Sequence, residues 1–156
     1  MERTLILIKP DAVQRQLVGR ILSRFEQKGL KIVAMKMLAV SDKVARKLYA
    51  EHKDRDFYEA LVRFMTSSPV IAVVLEGKRV VTVARSMIGP TFGPHASAGT
   101  IRGDFGISER YNLVHSADSV ESARNEIELF FSPDELLEYE LGNDPWIYTR
   151  SDGEIS

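Results

Sequence analysis

Residues 70–75 are six apolar side chains in a row: Val70, Ile71, Ala72, Val73, Val74 and Leu75. A strand presents alternate side chains to opposite faces, so a strand made of this run is apolar on both and needs cover on both. Pro69 leads into it and Gly77 follows it, which sets its length at that of a strand. The rest of the chain must therefore supply layers on either side.

Three further strands are expected. Residues 4–8 are apolar and partly β-branched, and Pro10 blocks their continuation. Residues 32–40 alternate apolar and polar at Lys36. Leu113 and Val114 form a very short strand ending at His115. Helices fall between the strands. Val18, Ile21, Leu22 and Phe25 recur at helical spacing, with Gly29 as the stop. Ser41 is placed to cap a helix holding Val44, Leu48 and Tyr49. A second helix covers 57–65, with Leu61 and Phe64 inside, and another covers 78–87. Asp118 or Ser119 caps a last helix through Phe131, with Glu121 three residues after Asp118 as in a capping box. Residues 89–110, rich in Gly, Pro, Ser and Thr, are expected as a long loop, and loops of that length in a compact domain usually carry function.

The order is β-α-β-α-α-β-α-loop-β-α, an α/β sandwich with helices packed on a sheet. Periodicity alone does not separate a ferredoxin-like split βαβ from a small doubly wound sheet. With 156 residues, 44% hydrophobic, and no repeat or linker, a single domain over 1–156 is expected, with 151–156 as a loose tail. The formal net charge of -1 argues against a general nucleic-acid binder. The absence of cysteine excludes disulfides and thiolate metal sites. The apolar stretch at 5–8 is too short for a signal-peptide core or a membrane span, so the expectation is a soluble, cytoplasmic protein.

Three histidines are candidates for chemistry. His52 lies among Glu51, Lys53, Asp54 and Arg55 and reads as a solvated surface residue. His95 follows Pro94 in the loop and has no evident orienting partner. His115 ends a short apolar strand just before a helix, where a side chain is held firmly yet stays reachable. A nucleophilic histidine needs a group on its other ring nitrogen to fix the tautomer and support positive charge. Glu126, at the edge of the apolar face of the next helix, is placed for that role. Spacing alone also admits an ordinary surface glutamate. Arg102 sits among glycines in the loop, where a backbone can approach a ligand and a guanidinium can fork onto phosphate. Arg85, Thr91 and Lys9 are scattered in sequence, and spacing does not bring them together. No G-x-x-x-x-G-K-[ST] and no G-x-G-x-x-G occurs, so any phosphate binding here is built without a P-loop. No carboxylate cluster is dense enough for a protein-built metal site, and any Mg²⁺ should ride mainly on substrate phosphates and water.

Asn112, Leu113, Val114, His115 and Asp118, together with Thr100, Ile101, Arg102, Gly103, Asp104 and Phe105, resemble the nucleoside diphosphate kinase family. Ile8-Lys9-Pro10-Asp11, Val18-Gly19, Phe25-Glu26, Lys28-Gly29, Lys53-Asp54-Arg55 and Ser119-Val120-Glu121-Ser122-Ala123 fall in the same order, so the resemblance runs nearly the whole chain. It implies a ferredoxin-like sandwich on a four-stranded antiparallel sheet with a long nucleotide-binding loop. It implies transfer of the γ-phosphate of ATP or another nucleoside triphosphate to a nucleoside diphosphate, in two half-reactions through a phosphohistidine. His115 would be the carrier and Glu126 its orienting group. Lys9 and Tyr49 would lie beside the transferring phosphoryl group. Arg85, Thr91 and Arg102 would hold the nucleotide's phosphates, with Lys9 and Asn112 at the ribose and Phe57 stacked on the base near Leu61. The resemblance also implies Mg²⁺ and a homo-oligomer, a hexamer built from dimers or a tetramer.

The chain departs from the family in three places. Ser116 precedes Ala117 where the family has a small residue and then a serine that helps hold the glutamate. Arg110 stands where the family has glycine near the base. Phe92, Gly93 and Pro94 follow Thr91, where the family usually continues Asn-Pro. Two other readings are a ferredoxin-like module that binds nucleotide or RNA, and an inactive family member kept for assembly. Balanced charge weighs against RNA, and the full set of site residues weighs against inactivity.

Overall fold

The structure is a computed structural model, and it describes residues 1–151 and 154–155. Four strands form one sheet: β1 (Glu2–Ile8), β2 (Lys31–Leu38), β3 (Val70–Gly77) and β4 (Val114–Ser116). Their spatial order is β2-β3-β1-β4, with every neighbour antiparallel. Helices α1 (Pro10–Gln14) and α2 (Val18–Gln27) join β1 to β2, and α3 (Asp42–Leu48) and α4 (Tyr58–Thr66) join β2 to β3. Helices α5 (Val80–Ile88) and α6 (Ile101–Phe105) precede β4, and α7 (Val120–Phe130) follows it. This is the ferredoxin-like sandwich, which resolves the choice that periodicity leaves open.

The apolar run of β3 sits where its composition requires, between β2 and β1 and covered on both sides. In β1, Leu5 and Leu7 join a core with Val70, Ala72 and Val74 under α3, α4 and α7. Ile6 and Ile8 point the other way, into a core with Ile71, Val73 and Leu75 under α2 and α5. The period of two thus divides one strand between two cores. Each fully buried Leu or Ile contributes about 1.5–3 kcal/mol relative to exposure.

Several boundaries follow their expected causes. Gly29, at φ +92°, ends α2, a backbone conformation that glycine adopts without Cβ strain. The Ser41 hydroxyl accepts the Val44 N–H at 3.2 Å and starts α3. At α7 the cap is Ser119, whose hydroxyl accepts the Ser122 N–H at 3.1 Å. The Asp118–Glu121 spacing forms no capping box there. The capping box of the chain is Ser132 with Glu135.

Two elements differ from expectation. Pro10 ends β1 but also opens α1, where its missing N–H removes nothing from the helix. The loop 89–110 holds a 3-10 turn at Gly93–His95 and the helix α6, capped by Thr100 through the Gly103 N–H at 3.0 Å. A Cβ on Gly103 would come within 1.9 Å of the Ser97 carbonyl oxygen, so this turn of helix exists only because residue 103 is glycine. Beyond α7, α8 (Asp144–Ile147) lies near the end of the chain. The tail expected to be loose, 151–156, falls partly outside the described residues; within it, β5 (Arg150–Ser151) pairs with β6 (Glu154–Ile155).

Candidate active site

Cross-strand partners share a face of a sheet. His115 in β4 lies opposite Leu7 of β1, and Leu7 faces α3 and α7. The His115 ring is therefore delivered to that side by register alone. There His115 Nε2 lies 2.9 Å from Glu126 Oε1 of α7. Both side chains are mostly buried, at 17% and 15% exposure. With Nε2 engaged by a carboxylate, the neutral ring carries its proton on Nε2 and its lone pair on Nδ1.

The second oxygen, Glu126 Oε2, is buried and makes no hydrogen bond to a described residue. Ala117, where the family places serine, packs its methyl group against Val81 and Ala123.

Tyr49 closes α3 and turns its ring edge to His115, with centroids 6.1 Å apart. Its hydroxyl is buried without a hydrogen bond to a described residue. Burial, with Glu126 nearby, raises its pKa, so it stays a neutral phenol. His52 lies between Tyr49 and Phe57, with centroids 6.5 and 5.3 Å away. Its side chain is 37% exposed beside Glu51, as its sequence neighbours suggest, and its ring also continues the line of rings that begins at His115. Its charged neighbours in sequence conceal this. The signal that could have revealed it is its three-residue offset from Tyr49, about one helical turn. Phe57 is 42% exposed at the start of α4, open to stack on a planar ligand. Leu61 is half-buried and packs on the core beneath α3 and α4, so it meets any ligand only with its outer edge.

The second group of residues gathers around the segment 112–114. Lys9 Nζ donates to Asn112 Oδ1 at 2.8 Å, and Asn112 Nδ2 donates to the Thr91 carbonyl at 2.9 Å. Lys9 is almost fully buried. Burial first, and then the Arg102 cation, push its pKa down to about 8, while Asp11 opposes them. Arg102 donates through Nε to the Asn112 carbonyl at 3.0 Å, through Nη1 to that of Gly89 at 3.0 Å, and through Nη2 to that of Val114 at 2.5 Å. Three of its five N–H groups thus tie α6 to Gly89 at the end of α5 and to Asn112 and Val114, and the others remain for an anion. Burial, with Arg85 nearby, lowers its pKa to about 10, which leaves it charged at neutral pH. Arg85 is exposed on α5 and reaches the Ser116 carbonyl only at 3.4 Å. The Thr91 side chain is exposed, and Arg110 is exposed as well.

The residues scattered in sequence converge in this way around His115. Lys9, Arg102, Asn112 and Thr91 form one hydrogen-bonded set, His115 and Glu126 a second with the Tyr49 ring packed against it, and Phe57 and Arg85 stand open at the margins. Cations on one side and an oriented imidazole on the other suit a polyphosphate whose terminal group meets a nitrogen nucleophile.

Comparison with known proteins gives the same direction. The nucleoside diphosphate kinase family model matches residues 2–136. The nucleoside diphosphate kinase of Gloeobacter violaceus is 56% identical over 148 residues, covering 95% of this chain and 99% of that protein. That of Archaeoglobus fulgidus is 51% identical over 148 residues, covering 95% and 98%. Among solved structures, a halophilic nucleoside diphosphate kinase from Halobacterium salinarum in complex with CDP has a TM-score of 0.92 at 42% identity, covering 94% of this chain and 98% of that one. A family protein from Babesia bovis has a TM-score of 0.92 at 43% identity, covering 95% and 100%. With the fold, the length and the sequence all in agreement, the chain belongs to the nucleoside diphosphate kinase family.

Proposed function

We propose that His115 Nδ1 carries the phosphoryl group in this chain's nucleoside diphosphate kinase reaction. In the first half-reaction the Nδ1 lone pair attacks the γ-phosphorus of a nucleoside triphosphate. The bond to the bridging oxygen breaks, and the nucleoside diphosphate leaves with that electron pair. The ring becomes a phosphorylated imidazolium whose Nε2–H donates to Glu126. The second half-reaction runs the same step backwards onto a different nucleoside diphosphate. The observation that carries this reading is the 2.9 Å contact from His115 Nε2 to Glu126 Oε1, which leaves Nδ1 as the free nucleophile.

Lys9, Arg102 and Arg85 offset charge on the phosphate oxygens, and Tyr49 flanks the transferring group. Thr91 contributes to phosphate binding, Asn112 and Lys9 meet the ribose, and Phe57 stacks on the base beside Leu61. Stacking gains affinity without reading base identity, which suits several nucleosides. The groups facing the site are cations, amides and rings, a set that fits Mg²⁺ held by the substrate's own phosphates and water. Bound there, the ion neutralises charge on those phosphates.

A homo-oligomer, hexamer or tetramer, is part of the same proposal. Its support on the molecule is the free edge of the sheet at β2, where Met35 and Met37 are 54% and 61% exposed. Among the described residues no helix is long and apolar enough to cross a membrane; a cytoplasmic placement is proposed with the rest.

The test is to incubate the protein with γ-labelled ATP, isolate it, and add a nucleoside diphosphate. Label should enter the protein and leave with the diphosphate, and His115→Ala should bind nucleotide and take no label. Steady-state double-reciprocal plots should be parallel. Transfer by His115→Ala, or intersecting plots, would overturn the reading.

A further inference from the structure

Two residues before His115 the backbone does something a leucine rarely does. Leu113 has φ +74°, in the left-handed region where a Cβ is strained. Such a conformation persists only where its surroundings overdetermine it. The Leu113 side chain is fully buried in the core under α2 and α5. Its carbonyl accepts the Lys9 N–H at 2.8 Å. Its own N–H donates to Asp11 Oδ2 at 3.1 Å, across a separation of 102 residues.

Asp11 is the second residue of α1, the short helix that Pro10 opens. Its other oxygen, Oδ1, is buried and makes no hydrogen bond to a described residue. It lies within electrostatic reach of Lys9 and of Arg102. These are the two buried cations on either side of the turn. The turn is a γ-turn closed by Val114 N–H donating to the Asn112 carbonyl at 2.8 Å, and each of its residues is tied from outside: Asn112 by Lys9 and Arg102, Leu113 by Asp11, and Val114 by Arg102.

We propose that Asp11 is a positioning residue for phosphoryl transfer: its carboxylate holds the left-handed turn at Leu113 and balances the buried Lys9–Arg102 pair. This rests on the reading of His115 as the phosphate carrier. The consequences separate by atom. Loss of the acceptor leaves a buried N–H unpaired at a strained residue. The turn can then relax, carrying Asn112 away from Lys9 and His115 away from Glu126. Loss of the charge alone leaves the turn pinned and removes an anion that favours the charged form of Lys9. Lys9 faces Arg102 and Asp11, and Arg102 in turn faces Arg85, Tyr49 and Asp11. Without Asp11's charge the cation on Lys9 is opposed only by repulsion and burial, so it is lost at lower pH.

The experiment is single-turnover labelling with γ-labelled ATP from pH 6 to 10, in the parent, Asp11→Asn, Asp11→Ala and His115→Ala. Asp11→Asn keeps an acceptor for Leu113 N–H and loses the charge. Its alkaline limb should move down by about one pH unit from the parent's, the low end of what a nearby opposite charge supplies. Asp11→Ala loses both functions, and its labelling rate at pH 7 should fall by at least about tenfold, as for loss of a hydrogen bond to a charged group. Its nucleotide dissociation constant should change by much less. A purely structural role would lower the melting temperature and leave the alkaline limb of Asp11→Asn in place. That unmoved limb, together with parent-rate labelling in Asp11→Ala, would overturn the proposal. If Asp11→Ala does not fold, the Asp11→Asn profile decides alone. Label on His115→Ala would instead overturn the functional reading beneath it, and the two failures are told apart by which variant shows them.

Discussion

At the scale of single residues, the site turns on how firmly one carboxylate is held. Glu126 offers Oε1 to His115 and has Oε2 buried without a partner among the described residues. A hydrogen bond to a charged group is worth about 1.5–3 kcal/mol. If that energy is expressed in the transition state, Glu126→Gln slows single-turnover transfer about 10- to 150-fold. A parent-like rate would make Glu126 a bystander. Ala117→Ser would restore the residue that the family carries at this position. The His115–Glu126 contact is in place without that serine, so the rate should change by much less than in Glu126→Gln. Lys9 adds a pH dependence with a definite sign. Its folded pKa is lowered to about 8, so the cation is present below that pH and lost above it. The kcat/KM profile, which reports the free enzyme, should fall as pH rises through about 8. In Lys9→Arg, which stays charged, that limb should vanish even if the overall rate is poor.

At the scale of elements, one wall of the cleft is the helical pair α3–α4 and the other is the loop 89–112. Tyr111 stacks on Phe64 of α4, with centroids 5.0 Å apart and planes 29° off parallel, and so ties the two walls beside Asn112. Offset ring pairs are worth about 0.5–1.5 kcal/mol beyond area burial. Tyr111→Ala should therefore raise KM for every nucleotide by about 2- to 10-fold with little change in kcat, and Tyr111→Phe should restore the parent value. Equal KM values in all three would show the ring pair to be incidental. The element most sensitive to substitution is α6. Gly103→Ala drives a methyl group into the Ser97 carbonyl, so the turn must open and Arg102 must lose its grip on β4. Thermal melting and nucleotide binding should both fall, whereas Gly99→Ala, at φ +96° in open space, should cost stability only.

At the scale of the whole molecule, the sheet was readable because its strands are apolar runs whose faces had to be buried. Residues 70–75 forced a covered strand, and the helices flanking them supplied the cover. The strand order was not readable, because pairing depends on contacts between residues distant in sequence. The short helices α1 and α6 escaped because they are five residues long and open at a proline or depend on a glycine, signals that otherwise mark breaks. The pairing of His115 with Glu126 came from the family resemblance, because spacing alone also admitted an ordinary surface glutamate at 126. The parts that Asp11 and His52 play were not readable. The part of Asp11 comes from a backbone angle at Leu113, which leaves no pattern in spacing, and the ring contacts of His52 are hidden by its charged neighbours. The central claim is that register and Glu126 together leave Nδ1 of His115 as the nucleophile. The most direct measurement is NMR of the phosphoenzyme formed from ATP, with ¹⁵N-labelled histidine, to find which nitrogen bears phosphorus. The account predicts a single phosphorylated residue, His115, with phosphorus on Nδ1. Phosphorus on Nε2, or on His52 or His95, would contradict it.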